Sequence, residues 1–249
     1  MKTTITAKRA ALYGTVSGLM LVVSVQAQEP AAPRKPLWES SASVGLTLTK
    51  GNSDTLLFTA NATTSTKRPK YELSFGVDGS YGENDNVKNV EAVHGFAQYN
   101  RLFSDRFYAY ARVDGLHDGI ADVDYRITAS PGIGYYFIKE KATTFSGEVG
   151  PGGVFERQGG KDNSYVTLRV AEKFEHKIND HVRIWESAEF LPDVSDFDKY
   201  VVNAEVGVES GLTKHTNLRV YLQDTYDNQP AAGRKNNDVK LVSALAWKF

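Results

Sequence analysis

The chain has no cysteine among its 249 residues. Disulfide frameworks, thiolate metal sites, cysteine nucleophiles and a cysteine-borne lipid anchor are therefore excluded. It also lacks an excess of either charge, with 29 basic against 30 acidic residues. No polybasic face for nucleic acid or for an anionic membrane surface is foreseen, and no nucleic-acid partner. Past the first 25 residues no run reaches the ~18 uninterrupted apolar residues of a spanning helix. A chain of this kind that enters a membrane must do so as a closed barrel, because only closure satisfies every backbone group in lipid.

An export signal is expected. Lys2, Lys8 and Arg9 precede an apolar run over 10–25, followed by Val25, Gln26 and Ala27. A basic start, a short apolar core and small residues at a cleavage site predict a signal peptide over 1–27, cut after Ala27. The run is too short, and too interrupted by Thr15, Ser17 and Gly18, for a membrane anchor. Removing the three basic residues of the signal from 29 leaves 26 against 30 acids, a difference of −4. Residues 28–36 are rich in Pro and Ala without periodicity and read as a flexible lead-in.

From Leu37 onward the chain alternates with period 2. The clearest strand sets Tyr71, Leu73, Phe75, Val77 and Tyr81 against Glu72, Ser74, Gly76, Asp78 and Ser80. Turn residues at Gly51–Asp54, Arg68–Lys70, Phe103–Asp105, Lys139–Lys141, Asn179–Asp180 and Thr213–His215 divide the rest. The predicted strands cover 37–50, 55–66, 71–81, 89–102, 106–118, 125–138, 143–156, a stretch ending at 178, 181–191, 200–212, 216–226 and 238–249. Most connections alternate between very short and longer polar ones, the latter at 83–86, 119–124, 157–163, 192–198 and 227–237. About twelve strands of roughly 12–14 residues, even in number and joined in this way, predict an all-β fold: a single antiparallel transmembrane β-barrel of bacterial outer-membrane type over 37–249.

The last strand carries Leu241, Ser243, Leu245, Trp247 and Phe249 on one face and Lys240, Val242, Ala244, Ala246 and Lys248 on the other. An aromatic end fits the interfacial girdle of a barrel and the recognition of that strand, through Phe249, by barrel-assembly machinery. The competing architecture is a secreted soluble β-sandwich. Its strands are usually shorter, about 5–6 residues, and it gives no reason for aromatics at strand ends.

The run Gly45-Leu46-Thr47-Leu48-Thr49-Lys50-Gly51-Asn52-Ser53-Asp54, the preceding Trp38 and the terminal Leu245-Ala246-Trp247-Lys248-Phe249 resemble the YdiY-like family of salt-induced outer-membrane proteins of unknown function. The resemblance spans about 37–249. It implies a Gram-negative outer-membrane barrel and brings no catalytic, cofactor or metal residues.

Alternation sends Glu72, Asp78, Arg112, Asp114, Arg126, Glu148, Arg169, Lys173, Glu205, Glu209, Arg219 and Lys240 to the lumen. Mixed signs can fill a lumen with ion pairs, or line a path for small solutes; a twelve-stranded barrel falls between packed and open sizes. Catalytic signals are weak. His94, His117, His176, His181 and His215 lack a Ser two residues away, and Ser164 with Asp162 is an ordinary loop pair. The acids Asp85, Asp118, Asp122, Asp124, Asp193, Asp196 and Asp198 match no calcium-loop spacing. No catalytic, metal or cofactor set is expected. The expected role is structural or stress-related in the envelope, with at most a narrow passive channel, among outer-membrane lipids and lipopolysaccharide. The alternative of another class is a lipid-modifying enzyme. Two positions conflict with the register: Glu172 falls on the outward face of its strand, and Trp185 competes with Glu186 on the next.

Overall fold

Strict alternation bounded by turn residues gives an extended chain one apolar and one polar face, and neither face can be satisfied until strands pair. The computed structural model describes residues 37–49 and 55–249. The expected signal peptide, the lead-in and the Gly51–Asp54 turn lie outside the described residues.

Twelve strands form: β1 (Glu39–Thr49), β2 (Thr55–Lys67), β3 (Tyr71–Asn84), β4 (Val87–Leu102), β5 (Phe107–Asp118), β6 (Val123–Lys139), β7 (Thr143–Gln158), β8 (Lys161–Lys177), β9 (Val182–Pro192), β10 (Tyr200–Gly211), β11 (Thr216–Asp227) and β12 (Asn237–Lys248). Each pairs antiparallel with its sequence neighbours, and β12 pairs with β1 to close the barrel. At the seam Ser41 opposes Lys248 and Val44 opposes Leu245. Beyond it Phe249 and Ser40 exchange backbone bonds of 3.1 and 3.3 Å. The barrel and its twelve strands match the expectation. A two-sheet sandwich does not form, because one sheet closes on itself.

The outer surface is apolar. Leu46, Val77, Val93, Val113, Ile133, Val149, Val206 and Leu241 are exposed on it. Aromatics flank this band. Trp38, Phe103, Phe107, Tyr135, Phe137 and Trp247 stand toward the end with the uniformly short turns, and Tyr81, Tyr125, Phe155 and Phe190 toward the other. So largely apolar a surface is unfavourable in water and suits a bilayer with its interfacial girdles.

Two expected loops are absent. β3 and β4 are joined by Asp85 and Asn86 alone, at φ 52° and 62°. β7 and β8 are joined by Gly159 and Gly160 alone, at φ 59° and 73°. Two successive left-handed residues make the hairpin turn whose twist matches the strands it joins. The ladder therefore runs further than alternation of apolar residues suggested, and β8 reaches 17 residues while β1 and β9 have 11. Among the described residues, 119–122, 193–199 and 228–236 are what remains as loops at this end.

Candidate functional site

Pairing fixes which side chains share the lumen. Asp78 opposes His94, and Arg112 opposes Gln98. Arg126 opposes Glu156, Arg169 opposes Gly150, and Glu209 opposes both Arg183 and Arg219. All twelve charged residues assigned to the lumen by alternation face inward, and the structure joins most of them through partners the sequence did not single out.

Near the outer mouth Arg126 on β6 donates to Glu156 at 2.6 Å and to Asp227, at the end of β11, at 3.0 Å. β6 and β11 stand five strands apart in the ring of twelve, so this bridge crosses most of the lumen. Lys199 reaches Glu156 at 3.0 Å and Gln158 donates to Asp227 at 3.1 Å. The Glu156 side chain is fully buried, and Arg126 is 11% exposed. Ala231 of the 228–236 loop, which follows Asp227, is buried beside Gly159.

At mid-height a polar chain follows the wall. His94 sits between Asp78 at 3.0 Å and Asp114 at 3.3 Å. Arg112 grips Asp114 at 2.6 and 2.8 Å and donates to Gln98 at 3.0 Å. Gln98 donates to Glu148 at 2.7 Å, as does the Tyr108 hydroxyl at 2.9 Å. Arg169 bridges Glu148 at 2.7 Å to Glu189 at 2.5 Å, and Asn203 donates to Glu189 at 3.3 Å. The chain links β3 to β10 around the inner wall, from strand to strand rather than along any one of them.

Toward the short-turn end Glu209 receives Arg183 at 3.3 Å, Arg219 at 2.6 Å and Lys248. Arg219 also donates to Ser41 Oγ at 3.0 Å, which ties β11 to β1 across β12. Glu72 accepts from Tyr136 at 2.6 Å and Asn100 at 3.2 Å. Trp185 faces inward and donates to Glu205 at 2.5 Å, and this settles the register of β9. Its ring lies over Gly207, where a Cβ would stand 2.3 Å from the indole. Tyr108 occupies the space over Gly134 in the same way.

Catalytic arrangements are not assembled from the sequence candidates. Both nitrogens of His94 are held by carboxylates, so it has none free to act as a base on a hydroxyl. His117 is bonded to the Asp124 carbonyl at 2.9 Å. His176 Nδ1 lies 2.8 Å from Thr143 Oγ1 on the outward face, without a carboxylate on its other nitrogen among the described residues. Asp162 is taken by Tyr125 and Arg157, and no bond joins it to Ser164. The acidic loop residues instead shape turns. Asp118 accepts from Ile120 and Ala121 N–H, and Asp193 from Ser195 N–H and Oγ–H at 2.8 and 2.7 Å. Burial pushes the Asp193 carboxyl up, but the bonds from Ser195 and the charge of Lys199 outweigh it and hold it below its ordinary range. Among the described residues no group of three or more acids and histidines is placed to hold a metal ion.

The register conflict is real for Glu172 and Glu186. Both face outward, since Glu172 opposes Ala188 and Glu186 opposes Phe174 and Val206. They are diagonal neighbours, and neither has a hydrogen bond or ion pair among the described residues. Asp224 joins them on the next-but-one strand, in the row Glu172, Ala188, Ala204, Asp224, and its Oδ1 is buried without a donor. Below this row an apolar groove of about 450 Å³ is lined by Phe174, Ile184, Val206, Val208, Leu222 and Leu241.

The fold has counterparts among solved structures. The chain is similar to the NanC porin at 8% identity and TM-score 0.51, over 85% of this chain and 98% of that one. It is similar to the KdgM porin at 10% identity and TM-score 0.46, over 85% and 99%. It is also similar to the translocator domain of the autotransporter NalP from Neisseria meningitidis, at 11% identity and TM-score 0.44, over 87% and 89%. At such identity the likeness to the NanC porin is one of fold alone: an outer-membrane-type barrel. No curated protein matches the chain in sequence. The profile of one family does match, over residues 42–249, in agreement with the YdiY-like resemblance, and on that match the chain belongs to DUF481, a family of proteins of unknown function.

Proposed function

We propose that the protein resides in the outer membrane as a barrel that reinforces the envelope and offers at most a narrow passive path for small solutes. The carrying observation is the interior. It is spanned by charged and hydroxyl groups bonded to one another, closed at the outer mouth by Arg126, Glu156 and Asp227, and open nearer the short-turn end, where inward Lys173 is exposed. An interior of this kind is too polar to hold a lipid and too crowded to pass a large solute. The hydroxyl–imidazole contact of Thr143 with His176 has no orienting carboxylate among the described residues, and this gives a lipid-modifying enzyme no support.

The apolar belt supports a location among outer-membrane lipids and lipopolysaccharide, reached by export through the signal at 1–27 and assembly through the strand that ends at Phe249. Heat-modifiable mobility of the outer-membrane fraction on a detergent gel tests the location. A boiled sample that migrates differently from an unboiled one is expected; a protein confined to the soluble periplasm would overturn it. Planar-bilayer recording tests the passage. Small, steady conductance is expected, and its complete absence would leave the structural role alone.

A further inference from the structure

Two lysines in the open part of the lumen have no acid of their own. Lys173 on β8 faces inward between Ser146 and Ser187, and its side chain is exposed although the barrel wall surrounds it. Solvent therefore reaches its side chain inside the lumen. Lys67, at the end of β2, faces inward opposite Glu72, and it too is exposed. β2 and β8 lie six strands apart in the ring of twelve, on opposite walls. Neither ammonium makes a hydrogen bond or ion pair among the described residues.

The surrounding acids are committed elsewhere. The charges that act most on Lys173 are those of Glu175, Lys67, Arg183 and Arg112. Glu175 is held by Arg183 at 2.9 Å, and Arg112 is held by Asp114. Glu72 is occupied by Tyr136 and Asn100, with Lys139 at 3.9 Å. Glu205, also inward, is held by neutral donors, Trp185 and Gln223 at 2.9 Å, and pairs neither lysine.

We propose that Lys67 and Lys173 form an anion-binding constriction, which takes small carboxylates and inorganic anions and gives the passage a preference for them. The selectivity rests on the reading of the lumen as a passage; the binding does not. Two cations on facing walls attract an anion that enters between them, and the low-dielectric wall strengthens that attraction over its value in water.

The test uses the full-length barrel and a Lys67→Gln, Lys173→Gln variant, both verified as folded by their gel shift. Reversal potentials in an asymmetric KCl gradient should show anion preference in the parent, reduced roughly fivefold in the variant, a factor in keeping with one weakly screened charge interaction. In parallel, citrate added to the purified barrel should raise its thermal unfolding midpoint in the parent and not in the variant. A conducting parent without anion preference overturns the selectivity, and equal behaviour of parent and variant overturns the role of these lysines. A silent barrel that citrate stabilises through the lysines would refute the passage and uphold the anion site. A silent barrel indifferent to citrate would refute both.

Discussion

Replacing Glu156 with Ala should both destabilise the barrel and loosen its outer mouth. Glu156 is fully buried and accepts charge-assisted bonds from Arg126 at 2.6 Å and Lys199 at 3.0 Å. Removing one member of a buried ion pair leaves its partner uncompensated, at a typical cost of about 3–5 kcal/mol. Arg126 keeps Asp227 at 3.0 Å, and Lys199 is 19% exposed and can turn toward water, so the lower end, about 3 kcal/mol, is expected. Urea unfolding of the barrel in lipid vesicles, followed by tryptophan fluorescence, reads this directly. Trp38, Trp185 and Trp247 lie away from the mouth and report on the whole barrel rather than the mutated site. Glu156→Gln, which keeps an acceptor for Arg126 but loses the charge, should fall between parent and Ala variant. Conductance should rise in the Ala variant, because the bridge that spans β6 to β11 loses the carboxylate that aims Arg126. A loss below about 1 kcal/mol with unchanged conductance would show that the cluster is ordinary solvated charge and would refute its role as a closure.

Other substitutions probe separate parts of the molecule. Glu172→Leu and Glu186→Leu should each stabilise the isolated barrel in vesicles by about 1 kcal/mol, since unpaired carboxylates on a lipid-facing wall are unfavourable; a lower unfolding midpoint would mean that these acids are engaged by something cationic in the membrane. Gly207→Ala places a Cβ 2.3 Å from the Trp185 ring and should cost about 1–3 kcal/mol, with a shift in tryptophan emission as the Trp185–Glu205 bond is displaced. Gly160→Ala isolates backbone strain, because nothing lies within 4 Å of the added methyl while φ is +73°. Vesicle unfolding should show a loss of about 1–2 kcal/mol, and an unchanged midpoint would argue against the left-handed turn.

Much of the architecture was legible because barrels write their faces into the chain. Lys240 and Leu241 alternate in sequence, and in the barrel one faces Ser80 across the lumen while the other lies on the apolar surface. Helical periodicity never competed, so twelve strands could be counted from alternation and turn residues. The turns were less legible. Asp85-Asn86 and Gly159-Gly160 sit inside longer polar runs, and polarity alone does not say which two residues adopt left-handed φ. β7 and β8 consequently extend as a ladder past the point where apolar residues stop marking one face. Nor did alternation show that Gly134 and Gly207 make room for the rings of Tyr108 and Trp185.

The sequence by itself determined which residues face the lumen, because side-chain direction has a period of two and depends only on neighbours along the chain. It determined that mixed charges would meet there, and that Glu172 and Glu186 would be at odds with their surroundings. Only the tertiary structure decided who meets whom. Arg126 and Asp227 are 101 positions apart, as their bond across the mouth records, and Arg219 and Ser41 are 178 apart. Such pairs follow from closure of the ring and from the stagger of its strands, which bring distant heights of distant strands to the same level. That stagger also leaves Lys67 and Lys173 facing the lumen without an acid of their own. It is a property of the whole cylinder, fixed by the sum of all its registers, and no local stretch of sequence contains it.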